Sequence, residues 1–164
     1  MILLISEEYL KANAIASEAI DYRVYKPHIV ACQDLYLDEL LGVTFKDALL
    51  TGYQNQTLTS YEQQLVVYIK QMLIRRIEAA VTDFLTYRLR SKGVQVSSSG
   101  DSSAGTDTQV QYSEKLLNEY ADKYYKYACK YLNDFYIEFP LYESDACDKC
   151  DEDTNNTNMY FYGF

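Results

Sequence analysis

The stretch SYEQQLVVYIKQMLIRRIEAAVTDFLTYRLR, Ser60–Arg90, decides the fold. Its apolar residues Val66, Ile69, Leu73, Ile77, Ala80, Phe84 and Tyr87 recur every three or four positions, the period of one buried helical face. Thr59 and Ser60, with Glu62 and Gln63 three residues on from each, form a double candidate capping box at its start. Lys92–Gly93 ends it. A helix of roughly 30 residues is about 45 Å long at about 1.5 Å per residue. Its polar face carries Lys70, Arg75, Arg76, Glu78 and Asp83. The pair Arg75 and Arg76 has two readings: a solvated face with a local Arg75–Glu78 contact, or cations that meet an acidic partner.

A second long helix is expected over Thr108–Phe139, where Leu117, Tyr120, Tyr124, Tyr127, Tyr131 and Phe135 repeat the same step. Glu119–Lys123 and Asp122–Lys126 are acid-before-base pairs one turn apart, the favourable order. Pro140 ends the helix near Phe139. The two helices are expected to pack antiparallel, with Ile69, Leu73, Ile77, Ala80 and Phe84 against Leu117, Tyr120, Tyr124, Tyr127 and Tyr131. Between them lies SSSGDSSAGT, Ser97–Thr106, too small and polar to pack. A short strand is expected at Val94–Val96 just before it.

Upstream, Ser6 followed by Glu7 and Glu8 reads as an N-cap with acid in the first turn of a short helix running to about Asn13. Asp21 is placed to cap the next, with Pro27 near its opening. There Ile29, Cys32, Tyr36 and Leu40, with Leu37 and Leu41, form a buried face, and Gly42 is a fitting C-cap. Thr44 with Asp47 opens a short helix Phe45–Leu50 that closes near Gly52, followed by a polar loop Tyr53–Leu58. The expected fold is therefore all-α: an antiparallel helical bundle over residues 1–140, with a mobile Ser/Gly-rich loop at 91–107 and an extended tail at 141–164.

The chain has 164 residues and a net charge of −9. That size suits one domain with a real core. The acidic balance argues against a nucleic-acid partner gripped by basic patches, and no run reaches the roughly 20 apolar residues of a membrane span. Met1–Ile5 is too short for an export signal and is followed at once by Ser6, Glu7 and Glu8. There are 18 tyrosines and no tryptophan. A tyrosine stripe suits either a core whose hydroxyls reach the solvent edge or a subunit interface.

Cys147-x-x-Cys150 is the one motif with a chemical precedent. It supplies two of the four ligands that zinc needs, and the rest would have to be His28, acidic residues or another chain. A redox role calls for a thioredoxin-like setting that is missing from this sequence. His28 has no base–nucleophile partner nearby in sequence, and no phosphate-loop pattern occurs. The expectation is a protein that is not an enzyme and needs no cofactor or metal. The final residues Met159, Tyr160, Phe161, Tyr162 and Phe164 form an aromatic patch on an acidic, Asn-rich tether, DACDKCDEDTNNTN. Such a patch is seldom left in water, and with Arg75 and Arg76 it makes up the expected partner-binding set.

LISEEYLKAN (4–13), KPHIVACQDLYLDELLG (26–42) and a long helix ending in SKGV (91–94) before a polar insertion resemble the small head–tail connector proteins of tailed bacteriophages. The likeness is nearest to an uncharacterised group in phages and prophages of gut Bacteroidetes, crAss-like phages included. The resemblance implies a structural virion protein at the head–tail junction, assembled in the host cytoplasm. It would form a homo-oligomeric, dodecameric adaptor ring below the portal, touching portal and tail ring proteins, with DNA passing through and no sequence-specific contact. It also implies a C-terminal segment that docks on the portal or a neighbour. The alternative from the residues alone is a helical protein-interaction or regulatory module outside virions. Deleting Asn158–Phe164 is expected to leave the melting temperature unchanged while docking to portal rings weakens sharply; unchanged docking of the truncated chain would remove the tail from the mechanism.

Overall fold

The computed structural model describes residues 2–15, 21–90, 93–96 and 107–142, with the backbone alone described for 83–90, 93–96 and 107–110. The architecture is all-α with one short hairpin. In chain order the elements are α1 (Glu7–Asn13), α2 (Tyr22–Asn55), α3 (Ser60–Thr86), β1 (Tyr87–Arg90), β2 (Gly93–Val96), α4 (Asp107–Asp134) and a 3₁₀ turn, Tyr136–Glu138.

Local chemistry sets the helix starts. The Ser6 hydroxyl accepts the Tyr9 N–H at 3.1 Å, and the Asp21 carboxylate accepts the Arg23 N–H at 2.8 Å. At α3 the capping box closes reciprocally: the Glu62 N–H donates to the Thr59 hydroxyl at 3.2 Å, and the Thr59 N–H donates to the Glu62 carboxylate at 2.8 Å. Gln63 does not take part in the box; its amide donates to the Leu58 carbonyl at 2.9 Å.

α3 is the central helix, packed against both α2 and α4. Leu65, Ile69, Met72, Leu73, Ile74, Ile77 and Val81 are all buried, more than one helical stripe can account for. α3 and α4 run antiparallel: Arg76 bonds Asn118, Tyr68 stacks with Tyr131, and Tyr61 meets Phe135, so rising numbers on one helix face falling numbers on the other. α1 runs alongside α3 in the same direction, since Tyr9 meets Gln71 and the Asn13 carbonyl meets Arg75.

The α4 register differs from the sequence expectation. The residues of α4 that reach the core are Ala121, Ala128, Cys129 and Leu132. Tyr120, Tyr127 and Phe135, expected in the core, are exposed, and Leu117, Tyr124 and Tyr131 are half-buried at its edge. Small residues facing α3 let the backbones approach closely, which leaves no room for rings on that line. On α3, Val66, Ile69, Leu73 and Ile77 are buried and Ala80 half-buried; the Phe84 side chain lies outside the described residues.

Boundaries shift for physical reasons. α3 ends at Thr86 rather than Arg90, because Tyr87–Arg90 pairs antiparallel with Gly93–Val96, Tyr87 opposite Val96. Residues 93–96 of the expected mobile loop are thus strand, and 97–106 lie outside the described residues. α4 ends at Asp134; the chain tightens to a 3₁₀ turn and brings Phe139, just before Pro140, back into the core against Phe45 at 5.7 Å. The helix expected to close near Gly52 continues to Asn55, ending at Gln56 in the left-handed conformation. Gly52 lies under the fold-back of the chain: a Cβ there would meet Cδ2 of Leu58 at 2.7 Å, and that side chain would have to shift.

At Gly42 the hydrogen-bonded run of α2 is interrupted, with φ 70° and ψ 162°, a region that is essentially glycine-only. A Cβ there would meet nothing within 4 Å, so backbone strain alone sets the cost of adding one. Gly42→Ala is expected to lower unfolding free energy by about 1–3 kcal/mol, read as a reduced urea midpoint with unchanged m-value; an unchanged midpoint would show that the kink relaxes without penalty.

Candidate subunit interface

The outward side of α4 carries Tyr112, Leu116, Tyr120, Lys123, Tyr127 and Lys130, stepping by four, four, three, four and three. Tyr112, Tyr120 and Tyr127 are 67%, 41% and 55% exposed. The rings are held in place by neighbours: Lys123 sits 5.5 Å over Tyr120, and Tyr127 meets Tyr124 edge-on at 6.0 Å. A depression of about 360 Å³ lies beside them, bordered by Ile15, Arg75, Tyr120, Lys123, Tyr124 and Tyr127. Past the end of α4, Phe135, Tyr136, Ile137 and Leu141 extend the apolar surface. Beneath it Tyr131 joins Tyr68, Phe135 and Phe139 in one ring network. This rigid, wet-edged aromatic face has the composition of a protein–protein contact.

Arg75, which borders that depression, and Arg76 both bond within the subunit. Arg75 pairs with Glu78, which is 4% exposed and also accepts the Ile15 N–H; the second Arg75 nitrogen donates to the Asn13 carbonyl at 3.3 Å. The expected Arg75–Glu78 contact is present but buried, and it fastens the end of α1 to α3. Arg76 donates to Asn118 at 2.7 Å and to Asp122, and stacks 4.7 Å over Tyr36 of α2. Both arginines therefore act as clamps within the subunit.

Two clamps were not anticipated. Gln33, fully buried, accepts the Leu4 N–H at 2.8 Å and donates to the Ile2 carbonyl at 2.7 Å. Its amide pairs with the backbone as another peptide group would. Its position between Ile29 and Leu37 on the apolar face of α2 was the available signal. Glu78 likewise sits one residue after Ile77, on the buried side rather than the polar one.

A groove of about 540 Å³ lies between α1, the end of α2 and the start of α3, walled by Leu58, Val66 and Val67. Lys70 lies between the Tyr9 and Tyr53 rings, at 4.9 and 4.7 Å, and donates to the Tyr53 hydroxyl at 2.7 Å. His28 is half-buried on α2. Among the described residues no group of three or more His, Cys, Asp or Glu side chains is placed to hold a metal ion. Cys147, Cys150 and the segment Met159–Phe164 lie outside the described residues. No described helix is long and apolar enough to cross a membrane.

Cys32 is buried against α3, and burial pushes its thiol up from an ordinary 9.0 to about 11, with Arg76 opposing. Burial raises Tyr25 and Tyr9 as well. Each of these groups ionises at higher pH in the folded chain than in the unfolded one. The stability that the Cys32 thiol contributes is complete below pH 9 and is lost as pH rises through about 11. The urea midpoint is expected to hold steady from neutral pH to the unfolded thiol range and fall above it, less steeply in Cys32→Ala; equal slopes in the two proteins would exclude the thiol as a contributor.

A family model described as "Family of unknown function (DUF6712)" matches residues 30–152, from within α2 past the end of α4. The chain belongs to that family. No curated protein and no solved structure matches it.

Proposed function

We propose that this family member is a structural adaptor subunit of a tailed-phage virion, forming a closed ring below the portal through which DNA passes. The observation that carries the reading is the tyrosine–lysine face of α4, whose Tyr112, Tyr120 and Tyr127 are exposed among the described residues. Lys123 lies over Tyr120 and Tyr124 meets Tyr127 edge-on, contacts that favour particular ring orientations for a partner to meet. The resemblance of residues 4–13, 26–42 and 91–94 to head–tail connectors supplies the setting, and an acidic subunit suits a channel along which DNA slides without adhering. Identical subunits joined by a heterologous contact that closes on itself make a ring.

The groove at Lys70 favours a second reading, a helical module that holds an apolar peptide. Electron cryomicroscopy of particles carrying the chain separates the two. The adaptor reading expects a ring, most simply dodecameric, at the head–tail junction. Particles without the chain, together with a stable dimer in solution, would reject the adaptor and favour the module.

A further inference from the structure

Two faces of the subunit are chemically complementary. On α4 the run 123–130 contains Lys123, Lys126 and Lys130 and no acid, with the exposed Tyr120 and Tyr127 beside them. On α2 the run 31–43 contains Asp34, Asp38 and Glu39 and no base. There Leu35 and Val43 are 68% and 61% exposed, and Asp38 and Glu39 stand between them. Asp38 is braced by Lys46 at 2.6 Å. Both α2 and α4 pack on α3, and each carries its own exposed face, Leu35 and Val43 on the one and Tyr120 and Tyr127 on the other.

We propose that the acidic, apolar face of α2 in one copy docks on the tyrosine–lysine face of α4 in the next. The inference rests on the ring reading and names its contact. Like-to-like pairing would set Lys123 and Lys130 against the same lysines, or Asp38 and Glu39 against the same acids, and like charges in contact select against that arrangement. Unlike pairing matches charge with charge and seats Leu35 and Val43 among the tyrosine rings. Two distinct faces on one subunit are what a heterologous contact requires.

The test uses the full chain. Tyr127→p-benzoylphenylalanine is photolysed in an equal mixture of isotopically light and heavy protein, and cross-links between copies are mapped by mass spectrometry. The expected cross-links run to the neighbour's peptide containing Ala31–Val43. Links from α4 to α4, or none between copies, would overturn the proposal. Lys123→Glu and Glu39→Lys are each expected to cut the yield about tenfold, and the two in one chain to restore it. Circular dichroism melts confirm that each variant folds, and failure of the double variant to recover would count against the contact. A ring at the junction without these links would reject this contact and leave the adaptor standing. Links present in a chain absent from particles would do the reverse.

Discussion

The structure depends on one constraint: α3 has to be covered on two sides at once. Leu65, Ile69, Met72, Leu73, Ile74, Ile77 and Val81 are buried around more of its circumference than one neighbour can shield. α2 and α4 together answer that demand, and the polar groups caught between the helices need partners there. Arg75 and Glu78 find them at Asn13 and Ile15; Arg76 bonds Asn118 and Asp122 through its terminal nitrogens and lies over the Tyr36 ring, while its Nε has no hydrogen-bond partner among the described residues. The clamps follow from the apolar demand of the central helix.

α4 follows from the same constraint. Ala121 and Ala128 face α3, so the two axes lie close together and the tyrosines on either side are carried outward. A tyrosine that spans the edge of a seam keeps its ring against the core and its hydroxyl in water. Tyr124 and Tyr131 occupy that edge, while Tyr112, Tyr120 and Tyr127 lie beyond it. The tyrosines of α4 thus reflect an amphipathic helix whose apolar arc is wider than the groove it fills.

Helix existence and helix starts were legible in the sequence because their causes are local. Ser6, Asp21 and Thr59 with Glu62 act within three residues of themselves, and Gly42 marks its break by a conformation other residues resist. What the sequence concealed depends on distant neighbours. Period alone could not separate the tyrosine line of α4 from the alanine line beside it, since both step by three or four. Arg75, Arg76 and Glu78 read as a polar face until α1 and α4 are set over them. Gln33 was hidden in an apolar face, where a polar residue is informative only once the segment it holds is known. The strand Tyr87–Arg90 continued a helical pattern and was claimed by its pairing with Gly93–Val96.

Arg76 touches both flanks of the sandwich, stacked on Tyr36 of α2 while bonded to Asn118 and Asp122 of α4. Sliding either outer helix by a turn would unseat its guanidinium from one side or the other. The three layers are therefore keyed together, like the leaves of a spring pinned at mid-length. Any slippage of α2 against α4 has to break the Tyr36 stack or the Asn118 and Asp122 bonds first.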